Sequence, residues 1–142
     1  MGICTGRTVI ITGAGGGLGA AHAHEFARAG ANVVVNDINR DAAQKVVDEI
    51  VAAGGKAIVN TSDITNYADS ENAVKQAIEA FGDLHIVLNN AGINRDRMFA
   101  SLTEADWDAI MAVHLKGHFC ISSHAVHYWR DQSKAGKKVD AR

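Results

Sequence analysis

Three groups of residues in this sequence have types and spacings suited to chemistry. The first is a cluster of glycines in residues 12–19, TGAGGGLG. The second is a pair of carboxylates, Asp37 and Asp63, each placed just after an apolar run. The third is the polar-small segment 89–92, NNAG. A glycine-rich turn between a strand and a helix leaves backbone N–H groups free at the positive end of the helix. That arrangement suits a pyrophosphate. An acid after the following strand suits ribose hydroxyls.

These residues need elements to hold them. Val9, Ile10 and Ile11 read as a buried parallel strand leading into the turn. Gly19, Ala23, Phe26, Ala27 and Gly30 then fall on one helical face. In this reading Gly13 turns the chain sharply off the strand. Gly17 leaves room for a phosphate against the backbone, and Gly19 lets the helix lie close to the sheet. Asp37 ends the second apolar run, 32–35.

Further along, residues 41–53 carry Ala43, Val46, Val47 and Ile50 at helical spacing and are closed by Gly54 and Gly55. Residues 57–59 predict a third strand, ending at Asp63. Asn66 and Asp69 predict the capped start of a helix with Val74, Ala77, Ile78 and Phe81 inward. Residues 84–88 predict a fourth strand running into residues 89–92. Thr103 and Asp106 predict the start of one long helix with Trp107, Ile110, Met111, His114, Leu115 and Ile121 on its inner stripe. Such βα alternation predicts an α/β fold, a doubly wound parallel sheet with helices on both faces.

Composition excludes several classes. A net charge of −2 offers no footprint for nucleic acid or an anionic membrane. No apolar run approaches a membrane span, and the N-terminus lacks a signal-peptide pattern, so the expected location is cytoplasmic. Cys4 and Cys120 are far apart and expected to stay reduced, with Cys120 in the core. His114 and His118 stand four apart, but no third ligand has a convincing spacing, so no metal is expected. His22 and His24 point to opposite sides of a helix, and Trp107 and Trp129 read as packing residues.

Taken together, residues 12–19, Asp37, Asp63 and residues 89–92 resemble the classical short-chain dehydrogenase/reductase family over nearly the whole chain. The resemblance implies a three-layer Rossmann fold with strand order 3-2-1-4 and a nicotinamide cofactor across the carboxyl ends of the strands. It implies cofactor-binding roles for Gly13, Gly16, Gly17, Leu18, Gly19, Asp37, Ile38, Asp63, Ile64, Asn90, Ala91 and Gly92. Asp63 can accept from an adenine amino group, and Ala91 with Gly92 leaves space for a flat ring. Gly16 and Ile38 stand where NADP-preferring relatives place a basic residue. The Asp37 carboxylate would repel a 2′-phosphate, so NAD is expected over NADP, although Arg40 stands near in sequence as a cation that works the other way.

Residues 94–99, NRDRMF, and 113–119, VHLKGHF, are similar to the (3R)-hydroxyacyl-CoA and 17β-hydroxysteroid dehydrogenase branch. That branch puts His114 where most of the family has an Asn that holds a water in a proton relay. The resemblance therefore implies a supporting catalytic role for His114. The implied reaction moves hydride between NAD(H) and a small-molecule secondary alcohol or ketone. Homo-oligomers pairing through the long helix are implied as well.

The family's Ser and Tyr-x-x-x-Lys do not occur here. Tyr67 is followed four residues later by Glu71, and Tyr128 by Gln132. The expectation is that residues 1–142 are an NAD(P)-binding Rossmann domain truncated before a fifth strand, inactive alone, with the outer edge of the fourth strand unpaired. Two alternatives stand beside it: a non-catalytic NAD(H)-binding module, and a methyltransferase, against which residues 89–92 argue.

Overall fold

The computed structural model describes residues 2–142. Four strands form one parallel sheet in the order β3-β2-β1-β4. They are β1 (Thr8–Thr12), β2 (Asn32–Asn36), β3 (Lys56–Asn60) and β4 (Ile86–Leu88). The helices are α1 (Gly17–Arg28), α2 (Arg40–Ala52), α3 (Tyr67–Phe81), α4 (Glu104–Met111) and α5 (His118–Lys134). A short 3-10 turn, Phe99–Ser101, precedes α4.

Side chains alternate across a strand, and here that alternation splits the core in two. Val9, Ile11, Val33 and Val35 face one way, against Ala23 of α1 and Ala43, Val46, Val47 and Ile50 of α2. Ile10 and Val34 face the other, against Ala73, Val74 and Ala77 of α3 and Ile121 and Ala125 of α5. The register places Ile10 beside both Val34 and Val87. With both faces covered, β1 and β2 are continuous apolar runs, as central parallel strands must be. This is the three-layer, doubly wound Rossmann arrangement the sequence predicts.

The predicted caps form. Asn66 accepts from the Asp69 N–H. Thr103 and Asp106 make a reciprocal capping box, and the Thr103 hydroxyl holds the Asp106 carboxyl below its usual range.

Two expectations need correction. The single long helix is interrupted by a π-helical stretch, Ala112–Gly117, between α4 and α5. Each widened turn shifts the phase of the stripe that follows. Beyond it Cys120, Ile121 and Ala125 are buried, while Leu115 and Phe119, on or beside the predicted inner stripe, are largely exposed; Trp107, ahead of the π-helical stretch, is largely exposed as well. His114, another stripe residue, is exposed too. The outer edge of β4 is also not wholly bare. Arg142 donates its N–H to the His85 carbonyl at 2.9 Å and accepts from the Val87 N–H at 3.1 Å, the pattern of a parallel bridge. Residues 140–142 are held there as Arg7 pairs with the Asp140 carboxylate and donates to its carbonyl.

Cys120 is buried as predicted, and burial pushes its thiol pKa up. Trp129 donates its ring N–H to the Leu84 carbonyl at 2.7 Å and packs against the α3–α5 core. Beside it the Tyr128 hydroxyl donates to Asp83 at 2.8 Å. Burial first, and then Asp83, push the Tyr128 hydroxyl up to about 12. A proton retained more tightly in the folded state stabilises it fully below the unfolded pKa, about 10, and that contribution is lost as pH rises through about 12. Melting curves between pH 9 and ~12.5 should therefore fall more steeply for the natural chain than for Tyr128→Phe. Equal slopes would show that the Tyr128–Asp83 pair does not link proton binding to folding.

Candidate functional site

At the carboxyl ends of the strands an open cleft of about 560 Å³ is formed. Ligands in doubly wound sheets bind at this end. Its walls hold Gly13, Gly16, Leu18, Gly19, Asp37, Ile38, Asp63, Ile64, Asn90, Ala91 and Gly92. Eleven of the sequence-predicted residues thus share one cavity; Gly17 and His114 lie beside it. A second cavity of about 310 Å³, among Arg7, His85, Trp129 and Asp140, lies at the opposite end of the sheet.

The glycine turn is built by contact and conformation. Gly13 has φ +63°, and a Cβ there would lie 2.8 Å from the Ala91 Cα. Gly19, in the first turn of α1, lies so close to the glycine turn that a Cβ would lie 2.2 Å from the Gly13 carbonyl oxygen and 2.5 Å from Asn90 Nδ2. Its predicted role, close packing, is what the geometry shows. Gly17, with φ +53°, is there for its left-handed backbone, since its Cβ would meet nothing. Gly16 precedes α1 with extended backbone and makes no side-chain cap bond. The start of the helix is therefore left without a side-chain acceptor.

Thr12 and Asn90 lock this turn to the end of β4. The buried Thr12 hydroxyl accepts from the Asn90 and Ala91 N–H groups, each at 3.0 Å. The Asn90 side chain donates back to the Thr12 carbonyl at 2.9 Å and the Gly13 carbonyl at 3.2 Å. Asn89 donates to Ser122 of α5 at 3.0 Å.

The two acids close the far side. Asp37 accepts from the Gly15 N–H on one oxygen and the Asn39 N–H on the other, both at 2.9 Å. Its carboxylate is thus fixed beside the glycine turn. Ile38 and Leu18 stand at the rim, largely exposed. Asp63 accepts from the Thr65 N–H and hydroxyl at 2.8 and 2.7 Å, while its own N–H donates to Asp69 at 2.6 Å. Ile64 is buried against Gly117, where a Cβ would lie 2.9 Å from Ile64 Cδ1.

His114 rides on the π-helical stretch, the kind of local widening that marks functional helices. Its Nε2 lies 2.8 Å from the Ile93 carbonyl oxygen and 3.0 Å from the Ile93 nitrogen. One ring nitrogen serves only one of these at a time, so its tautomer and the Ile93 peptide are coupled. His118 Nε2 lies 3.4 Å from the Ala91 carbonyl. Among the described residues no group of three or more His, Cys, Asp or Glu side chains could hold a metal ion. Among the described residues no helix is long and apolar enough to cross a membrane.

Several residues of the site escaped the sequence reading. Asn36, Ser62, Thr65, Ile93 and Val113 line the cleft, and Thr12 and Gly15 hold its parts together. Proximity to the predicted motifs was the available signal for Thr12, Gly15, Asn36 and Ile93. Val113 adjoins His114 in the 113–119 motif, but that it turns into the cleft depends on the phase of the π-helical stretch, which is invisible in the residue pattern.

Comparison with known proteins adds the family. The model described as short chain dehydrogenase matches residues 7–139. The chain is 46% identical over 135 residues to the hydroxyacyl-CoA dehydrogenase ChsB1 of Mycobacterium tuberculosis, covering 92% of this chain and 42% of that protein. It is 44% identical over 137 residues to the peroxisomal multifunctional enzyme type 2 of Mus musculus, covering 90% of this chain and 18% of that one. The crystal structure of a short chain dehydrogenase from Mycobacterium avium superposes with a TM-score of 0.96 at 52% identity, covering 99% of this chain and 54% of that one. The chain thus spans about half, or less, of the length of these relatives. With its sheet order, its glycine turn and the match over residues 7–139, the chain belongs to the short-chain dehydrogenase family.

Proposed function

We propose that this chain is the NAD(H)-binding part of an oxidoreductase that interconverts a secondary alcohol and a ketone, with a hydroxyacyl-CoA as the substrate class. The observation that carries the cofactor reading is the cradle at the glycine turn. A Cβ at Gly13 or Gly19 would strike the neighbouring backbone, so the wall there is bare main chain. Bare amides at a helix start suit a diphosphate. Asp37, held by Gly15 and Asn39, keeps a fixed carboxylate for ribose hydroxyls and repels a 2′-phosphate. Ile38 and Ile64 supply apolar surface for an adenine. When bound, NAD supplies the hydride acceptor for alcohol oxidation.

The substrate class rests on likeness to the hydroxyacyl-CoA dehydrogenase named above. His114 is the chain's own candidate for supporting proton movement, beside the cleft and against the Ile93 peptide. The exposed Trp107, Leu115 and Phe119 support pairing with a second copy. The sequence holds no Tyr-x-x-x-Lys, which favours one further reading: the 142 residues alone bind NAD(H) without turnover.

Titration calorimetry of the chain with NADH, NADPH and S-adenosylmethionine tests this. The expected result is binding of NADH, at least about tenfold weaker binding of NADPH from charge repulsion at Asp37, and none of S-adenosylmethionine. Tighter binding of NADPH, or binding of S-adenosylmethionine alone, would overturn it.

A further inference from the structure

Beneath the Asp37 side of the cleft lies a set of buried carboxamides. Asn36 ends β2 and Asn60 ends β3, and the two are register partners. They are 2% and 5% exposed, and Ser62 is 6% exposed. Asn36 Nδ2 donates to Asn60 Oδ1 at 2.7 Å and to the Ser62 carbonyl at 3.0 Å. Asn60 Oδ1 also accepts from the Ser62 N–H at 3.1 Å, and Asn60 Nδ2 donates to Gln76 Oε1 at 2.8 Å. Gln76 Nε2 donates to the Val59 carbonyl at 2.9 Å.

Backbone groups fix the direction of every amide in this chain. The Ser62 carbonyl can only accept, so the Asn36 atom facing it must be nitrogen. The Ser62 N–H can only donate, so the Asn60 atom facing it must be oxygen. The Val59 carbonyl can only accept, so Gln76 must present its nitrogen there. No amide can be flipped without setting donor against donor or acceptor against acceptor.

Main-chain bonds already pair β2 with β3, and apolar residues fill the middle of both strands. Two buried carboxamides and a half-buried third are a costly way to extend that pairing. Their position is what distinguishes them. Just beyond Asn36 and Asn60 the two backbones separate, one to Asp37, the other through Ser62 to Asp63 and Ile64. The last main-chain bond between them runs from the Asp37 N–H to the Asn60 carbonyl at 3.1 Å. Past that point the amide chain ties the loops to each other and, through Gln76, to α3.

We infer that Asn36, Asn60 and Gln76 are positioning residues that set the separation of Asp37 from Asp63 and Ile64, and so the affinity for the adenosine half of the dinucleotide. This rests on the cofactor reading above. None of the three is required to touch the ligand; each acts through the carboxylates and Ile64.

Gln76→Met in the full 142-residue chain tests it, with ADP-ribose as probe. Gln76 is the outermost member, so its near-isosteric replacement breaks the chain at its α3 end. The expected loss is about tenfold in ADP-ribose affinity, the size of one buried hydrogen bond expressed through the loop. Gln76→Glu keeps an acceptor for Asn60 but sets a carboxylate oxygen against the Val59 carbonyl, so it should lose at least as much. In an Asp63→Ala background, Gln76→Met should cost under about twofold, because coupled residues are not additive. Amide hydrogen exchange without ligand reads the same network independently. Residues 62–65 should exchange faster in Gln76→Met while β1 and α1 do not. Unchanged exchange at 62–65, or an undiminished tenfold loss in the Asp63→Ala background, would overturn the positioning role. Failure of the natural chain to bind ADP-ribose would instead overturn the cofactor reading and the adenosine role with it; the exchange rates would still report whether the amides hold the loops.

Discussion

Gly19→Ala is expected to destabilise the chain by about 3 kcal/mol and to abolish measurable NADH binding. The added Cβ would sit 2.2 Å from the Gly13 carbonyl oxygen, 2.5 Å from Asn90 Nδ2 and 2.9 Å from the Ala14 Cα. Two of those three atoms are main chain of the turn itself, so relief requires α1 to move away from β1. Pushing the Asn90 side chain away from the new Cβ would also break its bonds to Thr12 and Gly13. Gly16→Ala is the control. Its Cβ would meet nothing within 4 Å, and its backbone is extended at φ −170°. It should change stability by under about 1 kcal/mol. Urea unfolding of both variants checks this; equal losses would mean that close approach of helix and turn is not what position 19 supplies.

The second large effect belongs to Thr12→Val. Valine has nearly the same shape, so packing beneath the sheet end is preserved. What is lost is the acceptor shared by the Asn90 and Ala91 N–H groups. Asn90 N–H keeps a contact with the Leu88 carbonyl at 3.0 Å, whereas Ala91 loses its partner. About 2 kcal/mol of stability should go, the cost of leaving such a group unpaired, with roughly tenfold weaker NADH binding as the 90–92 wall loosens. Thr12→Ser keeps the hydroxyl and should recover most of both. If Thr12→Ser behaves like Thr12→Val, methyl packing and not the shared acceptor explains the threonine.

These two residues show what was and was not legible in the sequence. Gly19 could be read because a glycine four residues before Ala23, on the face of α1 that meets the sheet, has one main use. Thr12 could not, because its partners lie nearly eighty positions away and meet it only when β4 lies beside β1. The apolar runs of β1 and β2, the caps at Asn66 and Thr103, and the acids after β2 and β3 are local signals and were legible. The π-helical stretch was not. Residues 112–117 have no composition that separates a π turn from an α turn, so the predicted stripe ran on in phase and put Leu115 inside. The Asn36–Asn60–Gln76 chain was hidden for a related reason. Amides read as surface residues until strand register buries them together.

The central claim is that a dinucleotide lies across the carboxyl end of this sheet, its diphosphate on the amides at the start of α1. Residue-resolved ¹H–¹⁵N NMR during titration with NADH tests it most directly. The largest shifts are expected at the amides of residues 15–19, with further shifts at Asp37, Ile38, Asp63 and Ile64. Shifts confined to Arg7, His85 and Asp140, around the cavity at the other end of the strands, would contradict the account, as would a spectrum that NADH leaves unchanged.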